Sequence, residues 1–178
     1  MAPGPSIDPG APGAVRPPYP LTLHPSAQRV QDELSRRGSA AVVRQLDRTT
    51  RSAAEAAAAV GCQVGQIAKS LVFRAATSGT PILVITSGAN RVDEPGLEER
   101  LGEGIGRADA EFVRQATGFA IGGVPPFGHE RPLTTYFDED LLQHPAIWAA
   151  AGTPNALFEI DPAELIHLCG GIALRVKE

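Results

Sequence analysis

The chain has 178 residues, a formal net charge of −4 and only 5% aromatic residues. That length holds one domain with a real core, which the scarcity of aromatics forces to be built mainly of Leu, Ile, Val and Ala. The acidic balance excludes a general electrostatic attraction to DNA, RNA or anionic membrane and leaves only local basic patches, such as Arg44, Arg48 and Arg51, which read first as solvated surface.

Residues 1–22 are dominated by Pro and Gly and cannot bury enough apolar surface to offset the entropy of ordering them, so a disordered tail is expected there, followed by a single domain over 23–178. Ser26 to Arg37 reads as a helix, with Val30 and Leu34 one turn apart and Gly38 as the stop. Ala40 to Leu46 is a short strand. Ser52-Ala53-Ala54-Glu55 is a capping box that opens an alanine-rich helix ended by Gly61. Ile67 to Phe73 and Pro81 to Thr86 are strands joined by a turn at Gly79-Thr80. Helices are expected over Glu94 to Leu101 and Asp109 to Thr117, the second ended by Gly118. Leu133 to Phe137 reads as a strand and Asp138 to Leu142 as a short helix. Ile147 to Ala151 and Ala156 to Ile160 are strands. Asp161-Pro162-Ala163-Glu164 starts a helix running to about Leu168, and Ile172 to Val176 is a closing strand. Strands and helices mix without regular alternation, which points to an α+β fold with a mixed or antiparallel sheet.

No run of about 18 apolar residues occurs, so no membrane span is expected. The first residues lack an apolar leader core, which makes a soluble cytoplasmic protein the expectation. Cys62 and Cys169 belong to no CxxC pair or Cys/His spacing, so they read as free thiols rather than as zinc ligands.

Two stretches carry chemistry. Alternation along the strand puts Lys69 on one face with Ile67, Leu71 and Phe73. The chain has one other lysine, Lys177, so Lys69 is not part of a lysine-coated surface. A buried ammonium is costly unless it has a partner or loses its proton, so a functional lysine is one reading. An edge-strand lysine that blocks aggregation, or one that snorkels to solvent, fits the same spacing. The second stretch is Gly118-Phe119-Ala120-Ile121-Gly122-Gly123-Val124-Pro125-Pro126-Phe127-Gly128-His129. Glycines allow close backbone approach and prolines stiffen the loop, so its remaining amides could face a carbonyl or an anion. A tight packed turn is the alternative. The spacing matches neither a GxGxxG fingerprint nor a P-loop, and no serine sits in a GxSxG elbow. His129 is open to reading as an acid/base, a ligand-positioning donor or a surface histidine.

Taken together, Gly61-Cys62, Gln66 to Phe73, Ser87-Gly88, Thr117-Gly118-Phe119, Gly122 to His129, Phe137-Asp138-Glu139 and Gly152-Thr153-Pro154-Asn155 resemble the YbaK / prolyl-tRNA editing family. The resemblance runs from about Ser52 to the C-terminus. It implies a mixed, barrel-like sheet with surrounding helices, and hydrolysis of the ester between a wrong, small amino acid and tRNA. Its invariant lysine falls on Lys69 and its GxxxP loop on Gly122 to Pro126. It further implies substrate contacts at Gly122, Gly123, Val124, Pro125, Pro126, Gly128, Gly152 and Thr153, with His129 as an additional contact. Some members carry a histidine near the position of Gly152 and Thr153, where this chain has none, so that subgroup's substrate choice does not transfer. The implied chemistry uses water, amide donors for the oxyanion and the substrate's own ribose hydroxyl, with no metal or cofactor. The implied partners are an aminoacyl-tRNA and, optionally, an aminoacyl-tRNA synthetase. The alternative is a non-catalytic module that binds an amino acid, nucleotide or tRNA and acts with a synthetase.

Overall fold

The computed structural model describes residues 22–178; the expected tail lies almost wholly outside them. Side-chain caps set the helix starts. The His24 Nδ1 accepts from the Ser26 amide and Pro25 fills the first helical position, so α1 spans Pro25–Arg36 and buries Ala27, Val30 and Leu34. The helix α2 (Ala53–Val60) begins at Ser52, whose hydroxyl accepts from the Glu55 amide. The return arm of the expected capping box is shifted by one residue, because the Glu55 carboxylate accepts from the Arg51 amide at 2.8 Å. Asp93, Asp109 and Asp161 cap α3 (Glu94–Leu101), α4 (Ala110–Thr117) and α5 (Pro162–Cys169) in the same way. Each carboxylate satisfies amides that the first turn leaves without partners.

The strands are β1 (Val43–Gln45), β2 (Ile67–Ala75), β3 (Pro81–Ser87), β4 (Ile105–Arg107), β5 (Thr134–Asp138), β6 (Ile147–Ala150), β7 (Ala156–Ile160) and β8 (Ile172–Leu174). They form one mixed sheet in the order β1-β7-β6-β2-β3-β5-β8, with β4 also on β2. The β2–β3 hairpin is antiparallel as expected, with Lys69 opposite Thr86. The pairs β2–β6, β3–β5 and β5–β8 are parallel. The strand β4 and a short 3-10 turn over Val64–Gln66 were not anticipated. The short helix expected over Asp138 to Leu142 is a 3-10 helix over Glu139–Gln143.

β3 is buried on both faces, which explains its unbroken apolar run. Leu83 and Ile85 join a main core with Leu34, Phe137, Ile147 and Phe158. Ile82 and Val84 join a second cluster with Phe73, Leu97, Tyr136 and Val176. Trp148, Ile67 and Leu157 hold α2 in a third. Phe127 meets Phe158 edge-on, with ring centroids 5.8 Å apart, which ties the glycine-proline loop to the main core. Among the described residues no helix is long and apolar enough to cross a membrane.

Truncating the fully buried Phe158 removes the centre of the main core. Phe158→Ala is expected to cost about 3–5 kcal/mol of stability, read as a lower urea midpoint with an unchanged slope.

Candidate active site

Lys69 lies midway along β2, half-buried, on the face shared with Leu71 and Phe73. Its Nζ donates to the Asn90 carbonyl at 3.3 Å. Asn90 is itself held: its side-chain amide donates to Asp138 Oδ2 and Asp140 Oδ2, both at 2.8 Å. Asp138 ends β5 and is 1% exposed. Its carboxylate also accepts from Thr86 Oγ1 at 3.2 Å, the Ser87 amide at 2.9 Å and the Asp140 amide at 3.0 Å. Asp140 is paired with Lys177 at 2.6 Å, and that lysine, followed by Asn90, holds the Asp140 carboxyl below its ordinary range. Burial pulls the Lys69 ammonium below the usual lysine value of 10.5, and the charge of Asp138 opposes the shift.

Lys69 borders a cleft of about 520 Å³. Its rim carries Arg51, Arg91 and Arg107 as well as Lys69, against one carboxylate, Glu94. The site is therefore locally cationic on a chain whose net charge is −4. The rest of the lining is largely apolar: small residues such as Ala68, Val72, Val113, Val124 and Ala150 alternate with the larger Leu71, Phe73, Ile121 and Leu157. Arg51, first read as solvated surface, belongs to this rim. Arg44 lies elsewhere, over the Trp148 ring at 4.9 Å.

The glycine-proline loop reaches the cleft through Ile121, Gly122 and Val124. The remaining residues expected to touch substrate do not border it. The Gly123 amide donates to the Ala120 carbonyl at 3.1 Å, and its carbonyl accepts from the Gly152 amide at 2.9 Å. A Cβ at Gly123 would sit 2.7 Å from Thr153 Cα, so the loop and the Gly152-Thr153 turn are packed backbone to backbone. Gly123, Gly152 and Thr153 thus act as a brace. Thr153 turns its hydroxyl to Asn155 at 2.8 Å, and Asn155 reaches the Leu46 carbonyl at 2.8 Å. Pro125 and Pro126 are buried, and Gly128 rests against Glu33. His129 turns away from Lys69 and borders a separate depression with Arg37 and Glu33. Its Nε2 donates to the Pro125 carbonyl at 2.7 Å. Burial lowers the imidazole's affinity for a proton, against a smaller opposing effect of the Pro125 carbonyl. Linear sequence does not say which side of a loop a residue faces, so the adjacency of His129 to Pro125 and Pro126 could not separate a strut from a substrate contact.

Cys62 and Cys169 are free and half-buried, and burial raises both thiols, Cys169 to about 11. Neither is a poised nucleophile. Among the described residues no three His, Cys, Asp or Glu side chains gather as metal ligands. Sequence reasoning missed Asn90 and the role of Asp138; the motif Phe137-Asp138-Glu139 marked the latter's position without its function.

A family model for the aminoacyl-tRNA editing domain matches residues 47–168. This chain belongs to that family. The matched span of the editing domain contains Lys69, Asn90, the glycine-proline loop and Asp138. A solved structure described as a proposed trans-editing enzyme for prolyl tRNA synthetase is 50% identical, with a TM-score of 0.83, over 88% of this chain and 99% of that one. The uncharacterized protein YwhH of Bacillus subtilis (strain 168) is 29% identical over 123 residues, covering 69% of this chain and 78% of YwhH. EbsC of Enterococcus faecalis (strain ATCC 700802 / V583), named as a proposed Cys-tRNA(Pro)/Cys-tRNA(Cys) deacylase, is 27% identical over 121 residues, covering 67% of this chain and 73% of EbsC. The structural match shows the mixed α+β architecture to be the editing-domain fold.

A lysine whose folded pKa is depressed makes the unfolded state the better proton binder, so its contribution to stability rises with pH between the folded value and 10.5. In the editing domain the Lys69 amine is expected to titrate below 10.5 by ¹³Cε NMR. Lys69→Met is expected to be more stable than the parent at neutral pH, with the gain shrinking as pH rises through that window. A gain that stays flat to pH 11 in paired urea melts would show that burial of charge is not its cause.

Proposed function

We propose that this editing domain hydrolyses the ester of a small amino acid on tRNA, in trans, with the reacting end of the substrate in the Lys69 cleft. The observation that carries this reading is the pairing of a half-buried lysine and three arginines with an apolar lining in one cleft. A tRNA acceptor end presents phosphates and an aminoacyl ester, and those two features match the two halves of the site. Lys69 holds the ester or the terminal phosphate by charge-assisted hydrogen bonds. Its tether to Asn90, and through Asn90 to Asp138, fixes the ammonium before substrate arrives. That preorganisation is what an electrostatic contribution to catalysis requires. Gly122 lines the cleft, whereas the Gly123 amide is spent on the turn.

The proposed substrate class agrees with the names of the relatives: a trans-editing enzyme for prolyl tRNA synthetase and a Cys-tRNA deacylase. An apolar lining sorts by volume, worth about 1–3 kcal/mol per methylene, so several small amino acids should be accepted. The attacking group is water. Among the described residues the cleft is lined by no histidine and by one carboxylate, Glu94, which agrees with the family resemblance, by which the substrate's own ribose hydroxyl helps activate that water. The same scarcity of a protein base favours, as a second reading, a module that binds the aminoacyl end without turnover.

The deciding experiment is deacylation of tRNAs carrying alanine, serine, threonine, cysteine or proline by the parent and by Lys69→Ala. The expected result is hydrolysis of a subset, reduced about 10²–10³-fold in kcat/KM by the substitution in a protein that still unfolds cooperatively in urea. Binding without hydrolysis by the parent would select the non-catalytic reading. Because the rim is cationic, kcat/KM should also fall with added salt, and a salt-independent rate would remove the arginines from tRNA binding. Gly123→Val should lower both stability and activity, since its Cβ has no room against Thr153; unchanged kinetics would take the brace out of the mechanism.

A further inference from the structure

The sheet has a gap at the cleft. β2 pairs with β3 along one edge from Ala68 to Arg74. On its other edge it pairs with β6 at Ile67 and Ala68 only, and with β4 from Phe73 to Ala75 only. Residues 69–72 therefore have no ladder partner on that side, and this stretch lines the cleft.

The polarity of the gap follows from the alternation of backbone groups in a strand. The Ile67 carbonyl accepts from the Gly88 amide, so residue 67 points its backbone groups toward the β3 side. The Val72 carbonyl accepts from the Ala108 amide at 3.4 Å, so residue 72 points the other way. By the same alternation Lys69 and Leu71 turn their amide and carbonyl groups to β3, and Ser70 turns both of its own into the gap. Ser70 adds a third group. Its hydroxyl is buried and has no hydrogen-bond partner among the described residues. A buried hydroxyl left that way costs about 1–3 kcal/mol.

An N–H and a C=O side by side on an open strand edge are complementary to one feature of an aminoacyl ester, its own carbonyl next to its own α-ammonium. Two residues opposed in this manner exchange two N–H···O bonds, as a hydrogen-bonded pair in an antiparallel ladder does. Peptides that add to an exposed edge use the same bonds. We propose that the aminoacyl group binds as a one-residue strand on β2, with the Ser70 amide donating to the ester carbonyl and the α-ammonium donating to the Ser70 carbonyl and hydroxyl. This rests on the deacylase reading and names how that site recognises its amino acid. The Ser70 amide would polarise the carbonyl that water attacks. The amino acid's side chain would fall on the face Ser70 shares with Ala68 and Val72, toward Val113 and Val124, since opposed residues present their side chains to the same face. The ribose and phosphate would then leave across the edge toward Lys69 and the arginines. Recognition through main-chain groups is common to all amino acids, which leaves selection to the size of the apolar wall.

The test combines turnover with a direct view of the Ser70 amide. The probe is 3′-deoxy-3′-(L-alanylamino)adenosine, which keeps the α-ammonium and the carbonyl and is not hydrolysed. In ¹H–¹⁵N spectra of the intact protein it is expected to move the Ser70 amide proton downfield and slow its exchange. The lactyl counterpart, with hydroxyl in place of ammonium, should bind at least about 10-fold more weakly, the size of a charge-assisted hydrogen bond. Alanyl-tRNA should likewise be preferred to lactyl-tRNA by about 10-fold or more in kcat/KM, after each is divided by its uncatalysed rate. Hydrolysis of alanyl-tRNA with an unshifted Ser70 amide, or equal normalised rates on the two esters, would overturn the pairing. Binding of the analogue at Ser70 without any hydrolysis would overturn the enzymatic reading and keep the pairing. Neither binding nor turnover would overturn both.

Discussion

The carboxylate of Asp138 is the interaction on which the site depends. It is buried at the end of β5 and gathers the Thr86 hydroxyl, the Ser87 amide, the Asn90 side chain and the Asp140 amide. A buried charge is tolerated only when its lone pairs are filled, and here the filling fixes structure in three directions. It closes the end of the parallel β3–β5 pair. It sets the turn that follows β3, and with it the Asn90 carbonyl beneath Lys69. It positions Asp140 to receive both Asn90 and Lys177. The ammonium is therefore held by a neutral carbonyl, with the nearest buried negative charge one residue away through Asn90. That arrangement keeps Lys69 oriented while leaving its charge available to an incoming anion.

The second organising feature is the division of labour between the faces of β2. Its Lys69 face packs with Leu71, Phe73 and Val92. Its other face, through Ala68 and Val72, belongs to the main core with Val113 and Val124. The cleft crosses the strand between these faces at the one place where neither β4 nor β6 covers the edge. Residues of both faces line the one cleft, so charged and apolar groups can meet a single ligand there. An acidic protein can in this way present a cationic mouth, because the field near a cleft is set by the groups around it and not by the net charge.

Much of this was legible in linear order. Ser52, Asp109 and Asp161 announce helix starts because each places an acceptor over unpaired amides, and Gly61 and Gly118 end helices in left-handed conformations that side chains disfavour. Lys69 stood out because period-two alternation put it among apolar neighbours. What was illegible is long-range. Ile105-Gly106-Arg107 becomes a strand only because β2 offers an edge to it. Asn90 and Asp138 meet across 48 residues of sequence, and nothing local marks either as the other's partner. The glycine-proline loop was legible as unusual, yet of its residues expected to contact substrate Gly122 and Val124 border the Lys69 cleft. Gly123 has no room for a side chain against the Gly152-Thr153 backbone, and Gly152 has none against Ser26, a packing requirement that linear sequence does not distinguish from that of a ligand.

The open stretch of β2 has one more consequence. An exposed strand edge ordinarily invites another chain to pair with it, which is why such edges are hazardous. This one is only four residues long, about 13 Å at the usual rise per residue, and it is closed by β6 at one end and β4 at the other. A polypeptide laid along it would run into one of those strands within a residue or two. The window is long enough for the end of a chain and too short for its middle, so at this edge the sheet resists strand addition without being sealed.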